Sequence, residues 1–594
     1  MNTVWKDSQC SIEVLKELLK DIKVTPITLR VLMNRGIDTK EKADEFLNSS
    51  LDKLYNPYLM KDMDKAIEIM VEAINNKEKI MVYGDYDADG VTSTTILYKA
   101  IKSCGGIVAY HIPHRENEGY GMSISRIETI AEEGFNLIIS CDNGISAIEE
   151  VKRAKELGLK VIITDHHELP FEEVNGERRV VIPSSDALIN PKQEDCNYPF
   201  KLLCGAGVAY KFSLALYEAM NMKDRNTDDL LELAAIGTIC DVVDLMDENR
   251  IIAKEGLKIL SNTRNLGIKA LKHIIDIKDE VTCYNVGFNI GPCINATGRL
   301  ETAELSLDLL LCEDMGEAMD IATKVFNLNK ERQDLTAESV EQVCADIEGS
   351  SLTNDRVLVV YNQHIHESIA GIVAGRVKEK YGKPTFILTQ GKDMPKGSGR
   401  SIEEYNMFEE MLKCKDILSK FGGHPMAAGL SIEEKNIAKF RQLLNENCNL
   451  SEEDLASKMR VDSPIKLNYV GEQVVQEFKL LEPFGKGNPT PILQGNRVLV
   501  ADIRFLGSEY QHVKFRFNVE GTNNLIDGLY FNKRDEVIEI LKDIYGDEYG
   551  DIGNGYIRPK SLFLNILFQP DINEYMGRRS VQLKLKDIKL SILK

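Results

Sequence analysis

Apolar residues change their spacing four times along this chain. Up to about residue 75 they recur at helical intervals: Thr39-Lys40-Glu41-Lys42-Ala43 opens one helix on a threonine cap, and Leu51–Tyr58 carries loop-forming Pro and Asn. From Lys79, short β-branched runs alternate with helical segments. KIMVYG (79–84), GIVAYHIP (106–113), NLIISC (136–141) and KVIITD (160–165) have strand length, and the stretches near 91–103, 123–134 and 144–157 have helical spacing. That alternation predicts a doubly wound, mostly parallel sheet. Residues 206–350 read as largely helical, with the polar stretch Thr302–Gly349 as a connector. A second α/β pattern follows in RVLVVY (356–361), a helix near 368–380, PTFILTQ (384–390), GSGRSI and FGGHPMAAGLSI. After about residue 455, NRVLVADIRFLGSEYQHVKFRFNV and SLFLNILFQP…SVQLKLKDIKL predict a small barrel of short strands.

The chain has 594 residues, room for roughly three to five domains. With 43% hydrophobic and 28% charged residues, it has no deficit of core-forming side chains. No apolar run approaches the roughly 20 residues that span a bilayer. The opening MNTVWKDSQCSIEVLKELLKD is amphipathic and acidic, unlike a signal peptide. These features predict a cytoplasmic protein with no membrane association, and the absence of a heptad seam predicts a monomer. The 12 cysteines include no CxxC pair and read as buried free thiols. A formal net charge of −20 argues against a protein that coats nucleic acid with a basic face. It does not argue against an enzyme whose carboxylates gather around metal ions, so any basic groove must be local.

Candidate chemistry concentrates at four places, three of them where a predicted strand ends. Asp85-Tyr86-Asp87-Ala88-Asp89-Gly90 follows KIMVYG, Asp142 follows NLIISC, Asp165-His166-His167 ends KVIIT, and Asp241 ends the helical run LLELAAIGTIC. Ligands of open α/β sheets bind outside the carboxyl ends of the strands, so these residues should converge. Each alone has a plain structural reading as a turn or helix cap. An EF-hand loop is excluded, because position 12 would be Ile96 where that loop needs Glu, and a strand precedes it. The combined set, Asp85, Asp87, Asp89, Asp142, His166 and Asp241 with His167 adjacent, is too large for one tetrahedral zinc. It suits two hard ions such as Mn²⁺ or Mg²⁺, about 3.5–4 Å apart, that activate water and stabilise in-line displacement at phosphorus. The reaction class is metal-assisted hydrolysis of a phosphoester or phosphoanhydride.

These motifs resemble those of the DHH phosphoesterase superfamily. IPHRENEGYGM (112–122), LLCGAGVAYK (202–211), GPCINATGRL (291–300), GIVAGR (371–376), GSGRS (397–401), GGHPMAAG (422–429) and LEPFGKGNP (481–489) are similar, in order, to segments of its RecJ exonuclease family. The resemblance implies an N-terminal helical extension (1–76), a DHH catalytic domain (77–245), a helical connector (246–350), a DHH-associated domain (351–450) and an OB-fold (455–594). It implies a single-stranded-DNA-specific 5′-to-3′ exonuclease of DNA repair and recombination, working beside a single-strand-binding protein and a RecQ-type helicase. By motif, Asp85, Asp87, Asp89, Asp142, His166 and Asp241 become metal ligands, with His167 catalytic beside them. Arg115, Ser398, Gly399 and Arg400 would grip a terminal 5′-phosphate, Tyr120 would stack on a base, and Arg299, His366, Arg376 and His424 would complete the substrate contacts. Arginine forks phosphate bidentately, and glycine lets backbone N–H groups approach it. The sequence departs from the family pattern at Cys293, where Arg is common, at Ile365, where Trp is frequent, and at Ser368, where Gly is usual. Two other readings stay open: a DHH enzyme of small substrates (dinucleotides, cyclic dinucleotides or pyrophosphate), and a non-catalytic replication scaffold.

Overall fold

A computed structural model describes residues 3–8, 10–115, 117–119, 121–174, 177–546, 556–575 and 577–591. The chain forms two compact units, residues 50–456 and residues 1–49 with 457–594.

The larger unit is built on a five-stranded, all-parallel sheet. Its order is Ile107–His111, Lys79–Tyr83, Leu137–Cys141, Lys160–Thr164 and Ala187–Ile189. The β-branched runs predict this sheet because both of its faces are covered. On one face Ile80, Val82, Leu137 and Ile162 pack against helices Met63–Asn75, Ala88–Ser103 and Gly205–Ala219. On the other, Tyr83, Ile138 and Val161 pack against Ile124–Glu132 and Ile148–Glu156. The chain leaves Lys79–Tyr83 for one neighbour and returns to the other at Leu137–Cys141, so the topological switch lies between these two strands. Their carboxyl ends carry Asp85 and Asp142, on the crevice where α/β sheets place ligands. The short strand Ala187–Ile189 has no periodicity of its own, and its pairing with Lys160–Thr164 alone defines it.

The 34-residue helix Met315–Glu348 is capped by Asp314, whose carboxylate accepts from Glu317 N at 2.9 Å. Its first half buries Ala318, Ala322 and Val325 in the catalytic core, and its second half buries Val343 and Ile347 against the next sheet. That sheet is mixed, in the order Lys420–His424, Ala427–Ser431, Lys396–Arg400, Thr385–Thr389 and Leu358–Tyr361.

In the smaller unit, five strands close on themselves. Leu493–Leu506 pairs with both His512–Asn518 and Phe563–Tyr575, Leu525–Tyr530 runs parallel to Arg578–Leu590, and helix Arg534–Tyr545 sits between the third and fourth strands. The cyclic order 1-2-3-5-4 is that of an OB-fold. Alternation along His512–Asn518 turns Val513, Phe515 and Phe517 into the barrel.

One expectation needs correction. Residues 1–76 are not a single helical extension. Val4–Asp7 is a strand, parallel to Lys458–Val461, and Trp5 donates from Nε1 to Asp587 at 2.6 Å. Helix Pro26–Met33 is tied to Glu477 through Thr25 and Thr28, and Arg35 pairs with Asp462 at 3.1 Å. Residues 1–49 therefore pack with the barrel, whereas helix Met63–Asn75 covers the catalytic sheet. A four-residue strand whose partner lies about 450 positions away leaves no local signature.

Deep in the larger unit, the side chains of Lys211 and Glu248 are fully buried and pair at 2.8 Å. Glu248 also accepts from Tyr55 N at 2.8 Å and from the Tyr198 hydroxyl. Removing one partner leaves a buried charge unpaired. Glu248→Ala should lose about 3–5 kcal/mol in urea unfolding, and the double variant Lys211→Met/Glu248→Leu should recover most of it. Equal losses in the two variants would show that the unpaired lysine is not what destabilises the single variant.

Candidate active site

The strand-end carboxylates meet. Asp85, Asp87 and Asp142 present oxygens within 4.8 Å of one another, as do ligand atoms of Asp89, His166 and Asp241 and those of Asp142, His166 and His167. Asp87 also caps helix Ala88–Ser103, its Oδ1 accepting from Asp89 N and Gly90 N at 3.0 Å each. Asp89 receives Gly205 N at 2.7 Å and Ala206 N at 2.8 Å, the first N–H groups of helix Gly205–Ala219, where the helix dipole favours an anion. Glycine is required at 205, because a Cβ there would lie 2.6 Å from Asp142 Cβ. Asp142 itself adopts φ +60°, and Val242, next to Asp241, adopts φ +57°. Left-handed backbone at an aspartate and a β-branched residue marks strain held at a functional corner.

Crowding of buried carboxylates dominates the electrostatics. Burial, then the charge of Asp87, raises Asp85 well above the usual range. Burial and Asp89 do the same to Asp142, and burial with Asp89 and Asp87 brings Asp241 to about 8. Asp89 reaches about 6, through burial and Asp87, against the pull of its two N–H donors. Burial holds His166 down at about 3, so its ring is neutral, the ligating form. Its Nε2 lies 3.0 Å from Asp142 Oδ1. Among the described residues, Asp85 Oδ1 is buried without a hydrogen-bond partner. Several buried carboxylates, an orphaned oxygen and a neutral imidazole fit divalent cations, and the two triads, Asp85/Asp87/Asp142 and Asp89/His166/Asp241, fit two of them.

Asp165, despite its place in the motif, supports the site from behind. It accepts from Ile145 N, His166 N and His167 N, and its Oδ1 meets His167 Nδ1 at 2.7 Å. Burial raises its pKa, but the bond and charge of His167 bring it down to about 2. For His167 burial works downward, and Asp165, Asp241 and Asp89 raise it to about 9.

A second cavity, about 420 Å³, is lined by Arg115, Arg299, Ser398 and Arg400 together with Lys396 and Lys420. Arg115 lies over the Tyr86 ring at 4.9 Å. Its loop is fixed by Glu118, which accepts from His114 N at 3.2 Å and Arg126 Nε at 3.2 Å and meets His111 Nε2 at 3.0 Å. Arg299 donates to Ser368 O at 2.6 Å, and Arg400 to Gly399 O at 2.8 Å. Among the described residues neither makes an ion pair. Burial, then Arg115, lowers both guanidiniums, Arg299 to about 10. Lys396 is held by Glu367 at 2.7 Å, whereas the two guanidiniums are left to meet a phosphate in this concave site.

Not every expected residue reaches this cavity. Gly399 faces the core, where a Cβ would lie 2.4 Å from Met407 Sδ, because strand alternation turns Ser398 and Arg400 the other way. His366 caps a turn, its Nδ1 2.8 Å from Ser368 Oγ. Arg376 is exposed beside Glu379, and His424 ends an exposed strand. None of these three lines the cavity, and Tyr120 lies outside the described residues. Cys293 is buried against Asn329, which also receives Arg332, so a guanidinium from the long helix lies near this position. Reading the motifs did not single out Asn295, whose Oδ1 accepts from Ala88 N at 2.8 Å, or the lysines at 396 and 420. A larger cavity of about 1500 Å³ surrounds Glu232 and holds none of the candidate residues.

The fold and the carboxylate–histidine cluster define a metal-dependent phosphoesterase of the DHH type. Residues 79–238 match the DHH family N-terminal domain, 354–450 the DHHA1 domain and 461–587 the RecJ OB domain. The single-stranded-DNA-specific exonuclease RecJ of Bacillus subtilis is 37% identical over 99% of this chain and 71% of its own length. The Escherichia coli protein of the same name is 32% identical over 95% and 96%. The crystal structure of Thermus thermophilus RecJ with Mn²⁺ superposes with a TM-score of 0.80 at 26% identity, covering 99% of this chain and 79% of that one. This chain belongs to the RecJ family. Among its described residues no helix is long and apolar enough to cross a membrane.

The proton balance makes a prediction. Above pH 6.5 an unfolded carboxyl or imidazole has largely lost its proton, while folded, metal-free protein keeps protons on Asp241 and His167. The folded state binds more protons, so its stability should fall as pH rises from about 6.5 to 9. His166 changes its proton balance only below that window. Melting in chelator should show the fall, and added Mn²⁺ should raise Tm more near pH 8.5 than near pH 6.5, where protons compete for the same oxygens. A metal-free Tm that climbs across this window would contradict the assignment of raised carboxyls.

Proposed function

We propose that this chain is a single-stranded-DNA-specific exonuclease that removes nucleotides from the 5′ end, in DNA repair and recombination. The observation that carries the reading is the pairing, in one unit, of two metal-ligand triads with a cavity whose Arg299 and Arg400 make no ion pair among the described residues. Asp85, Asp87 and Asp142 would hold one Mn²⁺ or Mg²⁺ and Asp89, His166 and Asp241 another, with Asp142 also close enough to His166 to be shared. Two such ions lower the pKa of water and neutralise charge developing on phosphoryl oxygens. Arg115, Ser398 and Arg400 seat the terminal 5′-phosphate, and Arg299, in the lining of the same cavity, adds a further substrate contact. A protonated His167, oriented by Asp165, supplies a cationic N–H donor to a phosphate oxygen. The relatives' names carry the single-strand preference, and the OB-fold is of a kind that binds single strands through stacking and a basic groove. A cytoplasmic monomer working with a single-strand-binding protein and a RecQ-type helicase belongs to the same reading.

A gel time course with Mn²⁺ on a single-stranded oligonucleotide tests it. The 5′-label should leave at once as short product, and the 3′-labelled strand should shorten progressively. Asp87→Ala should lose activity by about three orders of magnitude or more, since one ion loses a ligand. Persistent 5′-label, or hydrolysis confined to dinucleotides or pyrophosphate, would place the chain elsewhere among DHH enzymes.

The phosphate seat has its own test. Arg400→Ala should reduce the preference for 5′-phosphate over 5′-hydroxyl ends roughly ten- to a hundred-fold, as expected for a charge-assisted pair. Glu118→Ala should lower it less, by loosening the loop under Arg115. A parent enzyme that uses both ends equally would remove this role.

A further inference from the structure

Tyr284 and Phe288 are large aromatics, each 65% exposed, stacked on one another with ring centroids 4.9 Å apart and planes at 25°. Two features fix where they stand. Thr282 and Asn285 form a reciprocal capping box that anchors the first turn. The chain then widens into a π-turn, Val286–Ile290, which buries Val286 and Ile290 and leaves Phe288 outside beside Tyr284. Inserted π-turns gather at functional sites.

This segment leans on the metal site. Gly291, directly after the π-turn, packs so closely against Cys240 that a Cβ would sit 2.3 Å from its sulfur, and Cys240 precedes Asp241. The next residue after Asp241, Val242, is 60% exposed with its backbone in the left-handed region. The helix that continues from the pair, Gly291–Leu300, carries Asn295 to the amide of Ala88 and Arg299 to the phosphate cavity. The rungs between Phe288 and Arg299 span roughly 16 Å at 1.5 Å per residue. An aromatic platform thus stands at one end of a short rod whose other end lines the phosphate seat, with Asp241 alongside.

We propose that Tyr284 and Phe288 form a stacking platform for the bases of the strand still to be digested, a few nucleotides beyond the bond being cleaved. Stacking on exposed rings is tolerant of sequence, as an exonuclease that moves along a strand requires. The distance makes the platform useless to a mononucleotide or dinucleotide and engaged by a longer strand. The proposal rests on the reading of the site as a nuclease of single strands.

The test compares two substrates on the full chain with Mn²⁺: a 5′-phosphorylated dinucleotide and a 20-mer. The ratio of their kcat/KM values is the readout, so damage to the shared metal site cancels. Tyr284→Ala/Phe288→Ala should lower the 20-mer-to-dinucleotide ratio about ten-fold, mostly through KM, the scale of one lost base–aromatic stack. Phe288→Trp should preserve the ratio, and its indole should be quenched by a 20-mer with bases but not by one with abasic sites a few nucleotides from the 5′ end. An unchanged ratio in the double variant, as a protein-docking patch would give, overturns the platform. Equal losses on both substrates overturn it too, by showing that the pair supports the site as a whole. A parent that hydrolyses dinucleotides and ignores 20-mers would instead remove the single-strand reading beneath it.

Discussion

Mutual repulsion among buried carboxylates is the constraint around which this molecule is organised. Asp85, Asp89, Asp142 and Asp241 converge at the carboxyl edge of a parallel sheet, in surroundings dry enough to raise every one of them. No fold gathers such groups at neutral pH without cations or protons to balance them. The topology supplies the convergence, because the switch point brings the ends of Lys79–Tyr83 and Leu137–Cys141 side by side. Helix Gly205–Ala219 supplies partial relief by aiming two backbone N–H groups at Asp89. What remains uncompensated is the driving force for binding metal.

The phosphate cavity poses the opposite problem with the same logic. Arg299 and Arg400 are largely buried, lowered by burial and by Arg115, and bonded only to neutral oxygens in the contacts that fix them. Placing Asp or Glu beside them would satisfy the charges and close the site to substrate. The chain's −20 net charge therefore says little about its ligand. Anionic and cationic clusters are kept apart within one unit, each incomplete until a partner of opposite sign arrives.

Much of this was legible in the sequence because the relevant signals are local. β-Branched runs of strand length located four of the five parallel strands, and acidic residues at their ends marked the crevice. The fifth strand, Ala187–Ile189, and Val4–Asp7 were not legible, since each is too short to show a period and is defined by a distant partner. Asp165 shows a different limit. It stands beside His166 in the motif, and its oxygens are taken by backbone N–H groups and His167. The spacing of residues cannot say which way a carboxylate turns. Gly399 shows the same limit in a strand, where alternation sends it to the core while Ser398 and Arg400 face the cavity.

Backbone strain completes the picture, because it sits where the charges do. A strand-end residue that must turn its carboxylate back over the crevice has one short route, a left-handed step, and Asp142 takes it at φ +60°. Val242 takes the same step just after Asp241, although a branched Cβ makes it costlier. Such residues cost of order 1–3 kcal/mol each and persist only where surrounding packing leaves no alternative. Here Gly205 closes against Asp142, and Gly291 closes against Cys240. Metal binding can relieve the repulsion among the carboxylates but not this strain. The two-sided core of the sheet must therefore hold both corners in place before any ion binds, and the ligands are preorganised as a consequence.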